Sequence, residues 1–322
     1  MASPNLSEIV TTTLRNRSGK LADNFTKNNA LLYELSQKGR IKPFSGGRNI
    51  TEELSYQENG TFQRYSGYES VNISPSDVLT SAEFEIKQAA TAVSISGLEE
   101  LQNSGENALI DLLESRIENA EGTMMNNLSS DLYSDGTASS GKQIGGLQLL
   151  VADTGLSTAG GINSSTWSFW ANKIYDFSAE AGAPTPSATT IQAAMNTLWL
   201  RTKRGNDTAK LIVADDIYYQ YYWSSLQANQ RFADEKMACA GFDNLKFMGA
   251  KVVPDGASSA QAPASHMYFL NTDYLKFRPH RDRNMSPSED RYSTNQDAMV
   301  KLILWAGNLC CSNRALQGAM VA

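Results

Sequence analysis

Among 322 residues there are only three cysteines and two histidines. Cys239 stands alone and Cys310 and Cys311 are adjacent, so no Cys-x-x-Cys spacing exists. That excludes a disulfide framework and a zinc knuckle. His266 and His280 have no thiol or carboxylate partners at metal-ligand spacing, and no Gly-x-Ser-x-Gly nucleophile elbow is present. No metal and no cofactor is therefore expected. No apolar run approaches the ~18–20 residues that cross a bilayer. Met1-Ala2-Ser3-Pro4-Asn5 lacks the apolar core of a secretion leader. The expectation is a chain made in a reducing cytosol, with no membrane partner.

Basic clusters are also scarce. With a net charge of −6, the chain lacks the concentrated positive footprint of a sequence-reading nucleic-acid binder. Arg201-Thr-Lys203-Arg204 falls where a helix should end before Gly205, and cations there complement the helix dipole. Arg278-Pro-His-Arg-Asp-Arg283 has an acid inside it and reads as a salt-bridging or subunit-contact loop. Glu52-Glu53 and Glu99-Glu100 read as solvated pairs.

What the chain does have is a ribbon. From Asn49 to Ile73, two strand-like runs flank Glu58-Asn59-Gly60. Ile50, Leu54 and Tyr56 lie in the first run; Phe62, Tyr65, Tyr68, Val71 and Ile73 lie in the second. Asn-Gly favours a tight hairpin turn, because both central residues tolerate positive φ. Ser45-Gly46-Gly47 leads in and Ser74-Pro75 leads out. A two-stranded ribbon is marginal in water by itself, so its aromatic face must lie on its own domain or on a neighbouring subunit.

The remaining pattern is α+β. Residues 1–44 form a polar arm with a helical face at Leu6, Ile9, Val10, Thr13 and Leu14, and a second patch at Leu31, Leu32 and Leu35 that stops near Gly39. Ala82–Ser96 alternates as one long strand. From about Ser104 to Leu132, Leu109, Leu113, Ile117, Ala120, Met124 and Leu128 recur at helical spacing, with Glu106, Asp111, Glu114, Glu118 and Glu121 off the stripe. Some 26–28 residues at ~1.5 Å each make a rod of roughly 40 Å. Residues 141–264 mix helices and strands. Ser187 can cap a helix through Ile191, Met195, Leu198 and Trp199; Lys210–Ala214 is a buried strand; and Asp215-Asp216 open an aromatic helix from Ile217 to Leu226. Tyr218, Tyr219, Tyr221, Tyr222 and Trp223 on it occupy more than one face, which suits core plus subunit contact. Met267–Leu270, Leu275–Phe277 and Asp297–Ala306 return to strands, the last one central in its sheet. Cys310 and Cys311 read as buried structural thiols.

One stretch imitates a nucleotide site. Gly136-Thr-Ala-Ser-Ser-Gly141-Lys142 matches a phosphate loop up to its lysine, and Lys210–Asp216 imitates the second nucleotide motif. But position 143 is Gln where Mg²⁺ needs Ser or Thr. A helix rather than a strand precedes the stretch, and Ile144-Gly145-Gly146 is a poor helix start. The competing reading is a Gly/Ser linker, with Asp215 or Asp216 as a helix cap. An NTPase stays as the alternative of a different class.

Arm, protruding hairpin, strand, long acidic helix, inserted α/β region and returning strands follow one another in an order that resembles the major capsid protein of tailed bacteriophages, the Hong Kong 97-type fold. The resemblance covers nearly the whole chain. It rests on the ribbon Asn49–Ile73, on Ile117-Glu-Asn-Ala-Glu-Gly-Thr-Met-Met-Asn-Asn127, on the turn Tyr133-Ser-Asp-Gly136, and on Ile303-Leu-Trp-Ala-Gly-Asn-Leu309 with Asn313-Arg314. It implies an N-terminal arm (1–44), an extended loop (45–81), a peripheral domain with a spine helix (82–140 and 265–322) and an inserted axial domain (141–264).

The resemblance also implies a non-enzymatic shell of hexamers and pentamers around double-stranded DNA in a virion, assembled in a bacterial cytoplasm. The extended loop would lie across a neighbour's spine helix, which makes Arg48, Leu54, Tyr56, Phe62, Arg64, Tyr65, Tyr68, Glu114, Glu118 and Glu121 candidate intersubunit contacts. Gly46-Gly47 and Gly122 would act as hinges that let one sequence fit both ring sizes. Implied partners are other copies, a separate scaffolding protein, a portal, possible decoration proteins, and DNA held without sequence preference. An encapsulin-type compartment shares the fold and is the alternative. Some relatives cross-link a loop lysine to a neighbour's asparagine. Pro43–Ile86 holds no lysine, only Arg48 and Arg64, so a non-covalent shell is expected.

Overall fold

The computed structural model describes residues 29–102, 106–226, 245–256, 262–288, 291–292 and 296–322. The helical face expected at Leu6–Leu14, and Cys239, lie outside these residues. Asn29 caps the first helix, α1 (Ala30–Gln37), by accepting from the Leu32 amide, and Gly39 follows it in the left-handed region at φ 63°.

Strands β1 (Asn49–Ser55) and β2 (Leu79–Glu85) make an antiparallel ribbon. The expected hairpin about Asn59-Gly60 does not form, because β1 pairs with β2 rather than with residues 62–73. Neither Asn59 nor Gly60 adopts positive φ. The register places Ile50 opposite Phe84 and Leu54 opposite Thr80, so Ile50, Leu54, Ala82 and Phe84 share the buried face. Residues 62–73 have no such matching row and stay outside any strand.

The strand expected at Ala82–Ser96 breaks at Ile86, after which β3 (Lys87–Ser96) joins a different sheet. A short helix, α2 (Gly97–Gln102), leads to the long helix α3 (Glu106–Asp131), where the apolar periodicity placed it. Ala120, Met124 and Leu128 are buried at intervals of four, and α3 lies along β3.

Small elements follow: β4 (Thr158–Ala159), β5 (Ile162–Asn163) and β6 (Lys173–Asp176), then helix α4 (Ile191–Thr202), β7 (Leu211–Ala214) and helix α5 (Asp216–Ser225). The described chain ends with β8 (Leu245–Phe247), β9 (Ala250–Pro254), β10 (Met267–Leu270), β11 (Leu275–Pro287), β12 (Arg291–Tyr292), β13 (Ala298–Cys311) and β14 (Gly318–Val321). β13 is central, pairing with β3, β11 and β12. Cys310 and Cys311 point to opposite faces of it and both are buried. Burial pushes the Cys311 thiol up to about 12 and raises Cys310 as well.

A six-stranded sheet runs β6-β14-β10-β7-β9-β8. The boundary expected at 264/265 does not separate the sheets, because β10 and β14 pair inside this one. Its residues divide by alternation. Ile212, Ala214, Met267, Phe269 and Met320 pack with α4 and α5. Leu211, Val213, Val253, Tyr268 and Leu270 join the core that also holds α3 and the ribbon. Burial on both faces is why Leu211–Ala214 reads as an uninterrupted apolar run.

Candidate intersubunit surface

The ribbon is anchored at its root. Glu52 lies between Ile50 and Leu54 on the buried face and is 5% exposed. It pairs with Lys276 and with Arg278, whose Nη1 is 2.7 Å from Oε1. The solvated reading of Glu52 is thus corrected: strand alternation turns it inward, where two cations of β11 neutralise it. Arg278–Arg283 is corrected too, since β11 runs through it as a strand, although Arg278 does salt-bridge. Glu99 is ion-paired rather than free. Arg116 of α3 holds it at 3.0 Å and keeps its carboxyl below the usual range.

Along the β2 edge of the ribbon, on the same buried face, the β4–β5 hairpin leans in. Gly160 has φ 60°, and a Cβ there would collide with Ala82 and Phe84. Its carbonyl accepts from the Glu83 amide at 2.9 Å. Tyr56, Trp167 and Phe169 cluster at ring separations of 5.6–6.4 Å and line an open cleft of about 350 Å³ together with Asp77, Leu79, Thr80 and Ile162.

The ladder's last bond is Tyr56 N–H to the Val78 carbonyl. Beyond it, residues 57–77 form a finger. Its closures are polar: the Gln57 side chain donates to the Asp77 carbonyl, and Gln63 bonds Ser70 and Asn72. Its apolar side chains face outward: Phe62 is 79% exposed, Tyr65 65%, Tyr68 fully and Ile73 91%. Arg64 sits over the Phe62 ring at 5.7 Å.

The candidate contacts therefore divide. Arg48, Phe62, Arg64, Tyr65, Tyr68, Glu118 and Glu121 are exposed, whereas Leu54 is buried in its own core and Tyr56 is half-buried in the aromatic cluster. Sequence reasoning missed Trp167 and Leu79, which add exposed apolar surface near the finger's root. Glu114 lies in α3, its side chain outside the described residues.

The other candidates fill structural roles. Gly136–Lys142 follows α3, with Ser139 and Ser140 at φ 54° and 60°. Asp215 caps α5 and accepts from the Ser265 amide. Arg201 lies in the last turn of α4 and pairs with Glu180. Tyr218 and Tyr222 are core, the latter donating to the Lys246 carbonyl. Among the described residues no helix is long and apolar enough to cross a membrane.

At the junction of α3 and the six-stranded sheet, the Tyr133 hydroxyl bonds buried Asp255. His266 Nε2 lies 3.1 Å from Asp153 Oδ1, and Nδ1 lies 2.7 Å from the Ala264 carbonyl. Both ring nitrogens face acceptors, so the imidazolium fits best. Burial opposes its charge, but Asp153, the Ala264 carbonyl and Asp215 outweigh it and raise the histidine above its ordinary value. The stability this supplies is complete below the unfolded pKa, ~6.5, and is lost as pH rises through the higher folded value. Thermal melting of His266→Gln against the parent across that window is expected to show the pH-dependent difference vanish on the alkaline side.

No protein-family model matches the chain, and no curated protein matches it significantly. Solved structures do. The chain resembles the capsid subunit of cyanophage A-1(L), with TM-score 0.71, 17% identity and 95% of each chain covered. It resembles the SrpI encapsulin of Synechococcus elongatus PCC 7942, with TM-score 0.59, 12% identity, 98% of this chain and 95% of that one. It also resembles the capsid of Myoviridae phage XM1, with TM-score 0.58, 13% identity, 96% of this chain and 97% of that one. At these identities the likeness concerns architecture: the chain has the Hong Kong 97-type fold that its element order implied.

Proposed function

We propose that a chain with this fold and an unpacked aromatic finger is a shell subunit: a major capsid protein that forms hexamers and pentamers in the icosahedral head of a tailed phage and encloses its DNA. The observation that carries this reading is the outward-facing row Phe62, Tyr65, Tyr68 and Ile73 on a rigidly rooted ribbon. A group of large apolar side chains exposed together marks a surface that another molecule covers, and here the cover is another copy. Head-to-tail contacts of one surface with a different surface close into rings when the rotation permits. Each contact is modest, and many made at high effective concentration give a durable shell.

The assignment includes no catalysis. A scaffolding protein is supplied separately, a portal and possible decoration proteins complete the head, and an acidic chain lets packaged DNA slide without sequence preference. Residues 1–44 serve as arm, 45–81 as loop, 82–140 and 265–322 as peripheral unit and 141–264 as axial unit, with β10 and β14 of 265–322 lending themselves to the six-stranded sheet that lies between the two cores. Gly46 and Gly47, at φ 151° and 111°, together with Gly122 within α3, are the hinges that adapt one sequence to both ring sizes.

Electron microscopy of the purified, concentrated protein tests the reading: closed polyhedral shells or capsomer rings are expected, and solitary compact particles at every concentration would sink it. The likeness to an encapsulin keeps a second reading, a protein compartment. Nuclease-resistant DNA inside particles isolated from cells supports the phage head, and enzyme cargo the compartment. Because the finger offers no lysine, denaturing electrophoresis of mature particles is expected to show one monomer band with no ladder of multimers.

A further inference from the structure

Asn59-Gly60 is the strongest turn motif in the chain, yet the turn is not made: neither residue takes positive φ. Both are exposed, close to where the finger leaves the ribbon. The Asn59 side-chain carbonyl oxygen accepts two hydrogen bonds, from the Thr61 amide at 3.0 Å and from the Thr61 hydroxyl at 2.8 Å. Among the described residues the Gly60 amide donates to nothing. A Cβ at position 60 would meet nothing within 4 Å, and glycine leaves its own nitrogen unshielded.

We propose that Asn59 is a self-modification site, at which the finger converts its own asparagine to aspartate and isoaspartate while the subunit is unassembled. Hydroxide removes the Gly60 amide proton. The nitrogen then attacks Asn59 Cγ, the new N–C bond forms, and the Cγ–Nδ2 bond breaks. The amide nitrogen leaves as ammonia after taking a proton from water, and a five-membered imide remains. Water opens the imide at either carbonyl. The net change is asparagine plus water to a carboxylic acid plus ammonia, with no oxidant and no cofactor. The two Thr61 donors face the oxygen on which negative charge develops during attack, the arrangement that stabilises an oxyanion. The leaving Nδ2 is not tied down by any hydrogen bond among the described residues.

The product adds a negative charge, and in the isoaspartate form an extra backbone carbon, to a finger whose one cation is Arg64. Covering the finger shields Gly60 from hydroxide, so assembled subunits are preserved while idle ones accumulate the change.

Trypsin cuts after Arg48 and Arg64 and isolates Asn49–Arg64 as a single peptide, since no lysine intervenes. Full-length chain, kept unassembled in mildly alkaline buffer, is digested over time and the amide-to-acid mass shift at Asn59 is read by fragmentation. The expected result is faster conversion at Asn59 than at any other asparagine. Thr61→Val is expected to slow it on the order of tenfold in the folded chain and to leave the rate in the isolated peptide unchanged, while Thr61→Ser keeps the parental rate. Gly60→Val is expected to stop it. Conversion at Asn59 no faster than elsewhere, or an unchanged rate in folded Thr61→Val, overturns the proposal. Whether shells form is a separate measurement, so this chemistry stands or falls apart from the shell reading.

Discussion

Serine at positions 62, 65 and 68 together is expected to yield a well-folded subunit that no longer assembles. Phe62, Tyr65 and Tyr68 contribute nothing to either hydrophobic core, being at least 65% exposed. Their removal should leave the melting temperature of the isolated subunit within about 2 °C, as for other surface substitutions. Assembly is another matter. A ring that buries ~150 Å² of apolar surface against a neighbour supplies about 4 kcal/mol at ~25 cal/mol per Å². Losing half of that at each of three rings raises the concentration needed for assembly by about four orders of magnitude. Light scattering and sedimentation on the same preparation separate the two effects. Normal shells from the triple variant would show that the finger is not the contact that holds copies together.

The largest effect on the fold itself is expected at Arg314. Its side chain is fully buried and meets no carboxylate among its described partners. Nε donates to the Leu150 carbonyl at 2.6 Å, and the two terminal nitrogens reach the carbonyls of Leu149 and Ser157, the Ser157 hydroxyl at 2.6 Å and the Asn172 side-chain oxygen at 3.2 Å. The guanidinium also lies 5.8 Å from the Trp170 ring centre. Burial pushes it down to about 10, still charged at neutral pH. One planar fork thus satisfies acceptors from three separate stretches of chain. Arg314→Met fills the space but leaves the Leu150 carbonyl without a donor among the described residues and takes one bond each from the Leu149 and Ser157 carbonyls and the Asn172 side-chain oxygen, which keep other donors, at a cost of about 3–5 kcal/mol. That corresponds to a melting temperature lower by about 5–15 °C. Arg314→Lys is expected to recover little, because an ammonium on a single stem cannot reproduce the fork. Calorimetry on both variants checks the ranking, and a lysine variant as stable as the parent would refute the fork.

What could be seen in the sequence depended on whether a pattern answered to partners nearby in the chain. Helix α3 was legible because Ala120, Met124 and Leu128 repeat at the period of the element itself. Strand β7 was legible instead as a short continuous apolar run, and helix α5 by Asp215 marking its start as a cap. The ribbon was half legible. Ile50 and Leu54 announced β1, but the partner strand was assigned to the aromatic run 62–73 on the strength of Asn59-Gly60. The true partner is Leu79–Glu85, where Ala82 and Phe84 supply the matching buried row. Aromatics at 62, 65 and 68 step by three, which no strand pleat can place on one face; that spacing was a signal against pairing. Glu52 was also findable, as an acid two residues from buried apolar neighbours on each side. Its cations lie more than two hundred positions away on β11, beyond any local pattern. Phe62, Tyr65 and Tyr68 are exposed, but on a loop rather than on the hairpin strand from which that was expected.

The place of β14 in its sheet has a consequence for biosynthesis. This four-residue strand lies between β6 and β10, joining the edge strand to the other four. Among the described strands it is the last in chain order, and until it is made the sheet is two pieces with a gap. Long-range pairing of this sort closes slowly, so a nascent chain displays a finger long before it owns a finished body to carry it. A chain cut short before β14 would therefore lack the joint between β6 and the other four strands.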